Sequence, residues 1–268
     1  MADHKIHATA IVEPGAKLGS NVSIGPYSIV GADVELGDGT ELISHAIVTG
    51  QTTIGAQTRI FPFASIGHIP QDLKYDGEKS TLSIGANCTI REGVTINPGT
   101  AGGGLVTKIG DRCNFLANSH VGHDCIVGND VIFSNNVMLA GHCTVGDFAI
   151  LGGGAAVIQY ARIGNHAFVG GMSGLENDLI PYGMALGNRA YLSGLNVIGL
   201  QRRGFQRDAI LDLRRAYRLM FAPEGTLIER VDDVATQFED HTIVNEIVDF
   251  IREGGKRSLC TPKDGPES

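Results

Sequence analysis

His123, Gly141 and Gln159 stand eighteen residues apart in a chain of 268 residues. If eighteen residues make one turn of a coil, an imidazole, a bare backbone amide and a carboxamide share one column on one wall. The same rule sets His142 over Asp124 and Tyr160 over His142. An imidazole beside a carboxylate can take a proton from a hydroxyl, and the carboxylate supports the imidazolium that results. A glycine N–H, screened by no side chain, can hold an oxyanion. Those are the two needs of acyl transfer from a thioester.

The coil itself is legible as a repeat. An aliphatic residue recurs every six positions from Ile6 through Val12, Leu18 and Ile24 to Ile66, resumes at Ile84, Ile90 and Ile96, then shifts phase and runs from Ile109 to Val169. A helix repeats near 3.6 and an amphipathic strand at two, so six fits neither alone. It fits a short strand and a corner, with the aliphatic and the small residue two before it both pointing inward. Gly, Asn and Asp in each hexad suit tight corners. Three sides close a coil of eighteen, stacked on the next by parallel hydrogen bonds. The pattern resembles the hexapeptide-repeat proteins, which implies a mainly β fold, a left-handed parallel β-helix, against the usual right-handed rule for parallel crossovers.

The expected organisation is a β-helix over residues 1–189 and a small α-helical C-terminal domain over 190–268. Two polar, Gly- and Pro-containing stretches interrupt the period, at 68–83 and 98–107, and are expected to protrude as loops where function tends to sit. The glycine run 102–104 lacks the Gly-Lys-Ser/Thr of a phosphate loop. Helices are expected from Gln206 to Phe221, from a capping box at Thr226 and Glu229 through Phe238, and through Ile243, Ile247 and Phe250. The tail after Lys256 is expected to be loose. Cys88, Cys113, Cys125 and Cys143 fall two residues before a repeat aliphatic and read as core fillers, not as metal ligands or disulfides.

A net charge of -8 and a pI near 5.5 argue against general nucleic-acid binding. No apolar run is long enough to span a bilayer and no signal-peptide core follows Met1, so the reading is a soluble, cytoplasmic protein with no transmembrane segment. His120 and His123 flank the inward Val121, so both are expected to face outward. A single prism offers a flat wall and no deep pocket, which predicts a cyclic oligomer with sites between subunits, and a triangular body favours a homotrimer. Zinc is a competing use of His120, His123 and His142, as in the gamma-class carbonic anhydrases, although His120-x-x-His123 is not that family's spacing. A purely structural β-helix is a third reading. The preferred one is metal-independent and needs no cofactor.

Gln71-Asp72-Leu73-Lys74-Tyr75, Asn118-Ser119-His120-x-x-His123-Asp124-Cys125, Leu139-Ala140-Gly141-His142, Gly170-Gly171-x-Ser173-Gly174 and Asn196-x-x-Gly199-Leu200-x-Arg202-Arg203-Gly204-Phe205 resemble the UDP-N-acetylglucosamine 3-O-acyltransferases, which catalyse the first step of lipid A biosynthesis. The resemblance covers almost the whole chain. It implies that a 3-hydroxyacyl chain moves from acyl carrier protein to the 3-position of UDP-N-acetylglucosamine. His123 would be the general base with Asp124 beside it, and the Gly141 amide the oxyanion donor. Asp72 would recognise the acyl chain's 3-hydroxyl, and Lys74, from a neighbouring subunit, the sugar nucleotide. His120, His142, Gln71 and Gln159 would line the site, Asn196, Arg202 and Arg203 would hold the nucleotide, and Gly171 would gauge acyl length. Arg207, Arg214, Arg215 and Arg218 offer basic charge to the acidic carrier protein. Two positions depart from the family: Ile158 replaces a common His and Ile198 a common Glu. The departures keep a 3-amino analogue open as the acceptor, and acyl transfer to a sugar's 2-amine or from coenzyme A stands as a further alternative.

Overall fold

The computed structural model describes residues 4–263. Short strands, most of them two residues long, stack into three sheets of eleven, nine and eight strands, parallel except for the last pair of the first, that form the faces of a prism. Consecutive strands visit the three faces in rotation, so each returns to its own face one coil later. Lys5 pairs with Ser23, Ser23 with Glu41 and Glu41 with Arg59 on the first face. Ile11 pairs with Ile29 on the second and Lys17 with Glu35 on the third.

Two coils are longer. Arg59 pairs with Thr89 and not with residue 77, and Thr89 pairs with Asn114 and not with residue 107. Both extra lengths leave the prism between its second and third faces, because the following strands, Thr81–Ile84 and Val106–Ile109, belong to the third. These strands begin earlier than the sequence reading allowed. The loops therefore end before Thr81 and Val106, short of the expected limits at 83 and 107.

The core is the predicted inward set. From Ile24 to Val169 the repeat aliphatics are buried, as are the small residues two positions before them, including Cys88, Cys113, Cys125 and Cys143. Each fully buried aliphatic contributes about 1.5–3 kcal/mol of transfer free energy. Phe115 and Phe133 meet edge to face at 5.0 Å on adjacent coils. The first coils are open at their end: Ile6 and Ile11 are exposed.

The β structure continues past residue 189. Tyr191–Leu195 turns back antiparallel on Gly183–Leu186 and closes the first face. Four helices follow, α1 (Val197–Arg202), α2 (Arg207–Met220), α3 (Leu227–Gln237) and α4 (Thr242–Glu253). The capping box forms as expected, with Thr226 Oγ1 accepting from Glu229 N–H and the Glu229 carboxylate accepting from Thr226 N–H. Helix α1 was not foreseen, being short and holding Gly199. The tail after Lys256 is not loose as far as residue 263; residues 264–268 lie outside the described residues. Cys260 is fully buried, and Asp178 N–H donates to Ser258 O while Cys260 N–H donates to Asp178 O, each at 2.8 Å. These bonds strap the segment after α4 onto the last coil.

Candidate active site

His123 follows the second-face strand His120–Val121 and precedes the third-face strand Ile126–Val127, so it stands on the edge from which both loops leave. The eighteen-residue rule holds there. An added Cβ on Gly141 would lie 2.6 Å from His123 Cε1 and Nε2, so the imidazole rests directly on the glycine of the next coil. His142 N–H donates to His123 O at 2.8 Å, and Tyr160 N–H to Gly141 O at 3.2 Å. His142 stacks on Tyr160 at 4.5 Å and meets His123 edge-on at 4.8 Å. Asp124, His142 and Tyr160 occupy the same corner slot, with φ of 60, 62 and 67°. Left-handed backbone in non-glycine residues costs about 1–2 kcal/mol each.

His123 Nδ1 lies 2.7 Å from Asp124 Oδ2. A carboxylate only accepts, so Nδ1 carries the proton and Nε2 is left as the basic nitrogen. Asp124 is in turn gripped by the second loop. Thr100 donates to it from its backbone N–H at 2.8 Å and from its hydroxyl at 2.6 Å, and Asp124 N–H donates to Thr107 Oγ1 at 2.8 Å. Gly103 packs so closely that a Cβ there would fall 2.0 Å from the Asp124 Cγ. The glycine run thus lets the chain close over a carboxylate. The first loop joins the second where Glu78 Oε1 accepts from Ala101 N–H at 2.8 Å, and it carries Asp72 to 3.9 Å from His123 Nε2. The Lys74 ammonium stands 3.9 Å from Asp72, and the Lys74 backbone N–H holds the Asp72 carboxyl below its ordinary value.

The wall is less open than the sequence suggested: His123 is only 7% exposed, covered by loops of its own chain. Burial pushes the imidazoles of His120 and His142 below the usual histidine range, and Lys256 and Lys74 add to the effect at His142. His120 Nδ1 bonds the Thr95 hydroxyl at 2.7 Å. His123, Asp124 and His142 also bring potential metal-ligand atoms within 4.8 Å of one another, yet the Asp124 oxygens are already taken by Thr100 and His123. A groove of about 380 Å³ between the third face and α4 includes none of the His123 column.

The edges differ in how they treat their outward N–H groups. Between the third and first faces a ladder of side chains caps them: Ala86 N–H donates to Asp111, Asp111 N–H to Asn129, Asn129 N–H to Asp147 and Asp147 N–H to Asn165, at 2.6–2.9 Å. On the second-to-third edge Glu13 caps Ala32 N–H in the first coils, but among the described residues no side chain caps the N–H groups of His123, Gly141 or Gln159, and Gly141 N–H has no protein acceptor.

The structure gathers Asp72, Lys74, His120, His123, Asp124, Gly141, His142 and Gln159 on this edge, with exposed Gln71 on the same loop. The other predicted residues lie elsewhere. Gly171 sits between the first and second faces, exposed, and a Cβ there would meet Gly153 O at 3.2 Å. Asn196 and Arg203 lie at the third-to-first edge. Asn196 caps α1 and donates to His166 O at 2.9 Å, while Arg203 stacks over Phe148 and donates to its carbonyl at 3.0 Å. Both are engaged in joining the helices to the prism, whereas Arg202 is exposed. Thr100, Thr107, Gly103 and Tyr160 carry the site without having been assigned roles. Thr107, two before a repeat aliphatic, had a signal; Thr100 had none.

Profiles of two families match the chain: "Udp N-acetylglucosamine O-acyltransferase; Domain 2" over residues 178–260 and the bacterial transferase hexapeptide over residues 107–141. The acyl-(acyl-carrier-protein)–UDP-N-acetylglucosamine O-acyltransferase of Methylobacterium radiotolerans is 72% identical over 208 residues, spanning 78% of this chain and 76% of that protein. The protein of the same name from Rhizobium johnstonii is 52% identical over 261 residues, 97% of this chain and 96% of its own. The solved structure of LpxA from Acinetobacter baumannii matches with a TM-score of 0.92 at 40% identity, over 95% of this chain and 98% of that one. With the hexapeptide profile, this likeness agrees with left-handed winding of the coil.

Proposed function

The chain belongs to the UDP-N-acetylglucosamine O-acyltransferase family, and from that premise we propose that it transfers a 3-hydroxyacyl chain from acyl carrier protein to the 3-position of UDP-N-acetylglucosamine, the first step of lipid A biosynthesis. The observation that carries the mechanism is the seating of the His123 ring on Gly141, beside an N–H that no side chain caps. His123 Nε2 takes the proton of the acceptor's 3-hydroxyl while Asp124 steadies the imidazolium through Nδ1. The freed oxygen attacks the thioester carbon, and the carbonyl electrons move onto its oxygen, which the Gly141 N–H receives. Collapse expels the thiolate, and the proton on Nε2 passes to it, leaving the ester and the free carrier thiol. Asp72, 3.9 Å from Nε2, is placed to accept from the 3-hydroxyl of the acyl chain. Exposed Arg207, Arg214, Arg215 and Arg218 on α2 are the docking charges for the acidic carrier.

The distribution of the remaining residues supports a homotrimer. Gly171 occupies the first-to-second edge, and Asn196 and Arg203 the third-to-first, so they reach the substrate at His123 only if prisms pack side by side around a common axis. Leu73, at the tip of the first loop, is wholly exposed, and Ile69 is 68% exposed, as expected of groups that a neighbouring subunit covers. Among the described residues no helix is long and apolar enough to cross a membrane. The five cysteines are free, consistent with a reducing, cytoplasmic setting.

A second reading differs only in the acceptor atom. Ile158, beside Gln159, and Ile198, on α1, are both exposed apolar side chains, and the family's polar groups at these positions are missing. Acyl transfer to the 3-amine of a UDP-2,3-diamino sugar analogue is the alternative they favour. Mass spectrometry of the products from defined hydroxyacyl donors with each acceptor decides between them. His123→Ala should lower kcat by roughly 10²–10⁴-fold with folding intact; full activity in that variant would refute the assigned base. Gly171→Met, which meets no severe backbone conflict, should shift preference to shorter acyl chains.

A further inference from the structure

The strap that follows α4 does more than close the last coil. Asp178 and Leu192 fix it through Ser258, Cys260 and Thr261, with Leu192 N–H donating to Thr261 O at 2.9 Å. This anchoring delivers Lys256 and Arg257 to the edge that bears His123, on the coil next after Gly141 and His142. Arg257 Nε donates to Gln159 O at 2.8 Å. Lys256 Nζ lies 4.2 Å from the centre of the Tyr160 ring. Tyr160 is the ring on which His142 stacks, and His142 touches His123. A short ladder therefore leads from two cations to the reacting imidazole.

Among the described residues no carboxylate compensates their charge. Arg59, Arg91, Arg112, Arg162 and Arg252 each pair with a carboxylate, while among the described residues Lys256 and Arg257 form no ion pair. Lys256 is exposed and Arg257 half-buried. Only Nε of the guanidinium is used by the protein, which leaves its terminal nitrogens for a bidentate acceptor, and the ammonium beside it is a mobile point charge. In a chain of net charge -8, two adjacent cations without acids at the rim of a catalytic edge suit a phosphate.

We propose that Lys256 and Arg257 form a phosphate-binding subsite at the rim of the active site, taking a phosphate group of one of the two substrates. The subsite rests on the acyl-transfer reading, in which the acceptor carries a diphosphate and the donor's prosthetic arm a phosphodiester. The height of the ladder favours the acceptor. Lys256 stands three contacts from His123, beyond His142 and Tyr160 at 4.8, 4.5 and 4.2 Å, a span that a hexose ring and the diphosphate on its anomeric carbon cover together.

Steady-state kinetics on the full-length protein test this with Lys256→Gln, Arg257→Gln and the double variant, varying each substrate in turn. Lys17→Gln, in the first coils, controls for the lost charge. Each single change is expected to raise the acceptor's KM roughly fivefold to tenfold, about what one hydrogen bond at a solvent-exposed rim supplies, with kcat within about twofold. Lys256→Arg should restore it. A rise confined to the donor's KM keeps the subsite and assigns it to the prosthetic arm. Unchanged KM for both substrates overturns it, as does a fall in kcat alone, which would make the strap a prop for the Gln159–Tyr160 corner and nothing more. No acyl transfer by the unaltered protein would remove the acyl-transfer reading and the subsite together.

Discussion

Aromatic rings climb all three edges of this prism, each column with a histidine in the same left-handed corner slot; beside the exposed one of Tyr27, His45 and Phe63, the two columns around His142 and His166 differ in what covers them. His142, φ 62°, stands on the second-to-third edge; His166, φ 57°, stands on the third-to-first. His142 stacks on Tyr160 and presents its edge to His123. His166 is sandwiched between Phe148 at 4.7 Å and Tyr182 at 5.5 Å, with Phe205 against its edge. Burial, with the Arg203 guanidinium adding to it, pushes His166 down to about 4, and its Nδ1 has no partner among the described residues. The acids of the two columns differ as much. Asp130 is neutralised by Arg112 through bonds of 2.9 and 2.7 Å, whereas Asp124 is held by neutral donors from Thr100 and keeps its charge for His123. The backbone slot is therefore indifferent to chemistry. What covers it decides: loops carrying hydroxyl and carboxylate on one edge, helices carrying apolar rings on the other.

The sharpest way to break the first column is Gly141→Ala. The new methyl would fall 2.6 Å from His123 Nε2, so the ring must leave its seat beside the Gly141 N–H, and kcat should fall about 100-fold or more while the melting temperature changes little. Normal turnover in that variant would detach Gly141 from the chemistry. Thr100→Val removes one of the two Thr100 bonds to Asp124 and should cost roughly tenfold in kcat. Thr100→Ser, which keeps the hydroxyl, should restore turnover, and full turnover in Thr100→Val would show that Thr100 serves the loop alone.

The second column gives the smallest effect. His166→Phe keeps the ring stack and should leave kcat within about twofold. The native imidazole titrates near 4 and the free one near 6.5, so between those values the unfolded chain binds the proton that the folded chain refuses. Stability from this site is complete above pH 6.5 and is lost as pH falls toward 4. His166→Phe should flatten the decline in melting temperature across that window, and an unchanged slope would contradict the assignment.

Much of this was legible because the coil converts sequence spacing into position. The columns of His123 over Gly141 and of Asp124, His142 and Tyr160 followed from an eighteen-residue period alone, and so did the burial of Cys125 and Cys143. What escaped lies where the period stops. Thr100 reaches Asp124 from a loop whose path no repeat dictates, and Gly103 has meaning only once that loop folds back. Asn196 and Arg203 read as ligand residues, and nothing in the sequence signals that Asn196 also bonds Gly199 and His166 O or that one Arg203 nitrogen donates to Phe148 O, contacts between elements with no periodic relation. The tail looked loose because Cys260 and Leu259 carry no strand or helix pattern, and only partners far away in sequence, Asp178, Ala190 and Leu192, give the segment a place.

A stack whose storeys hydrogen-bond only to the ones above and below has no obligatory height. The storeys before Ser65 contribute no side chain to the reacting edge, so excising residues 29–46 would lower the whole assembly by one level and leave Ile47 facing Ile11 as Ile29 did. The catalytic groups ride on this pedestal as cargo. Natural selection or an engineer can therefore raise or lower them without rewriting a single one of their neighbours.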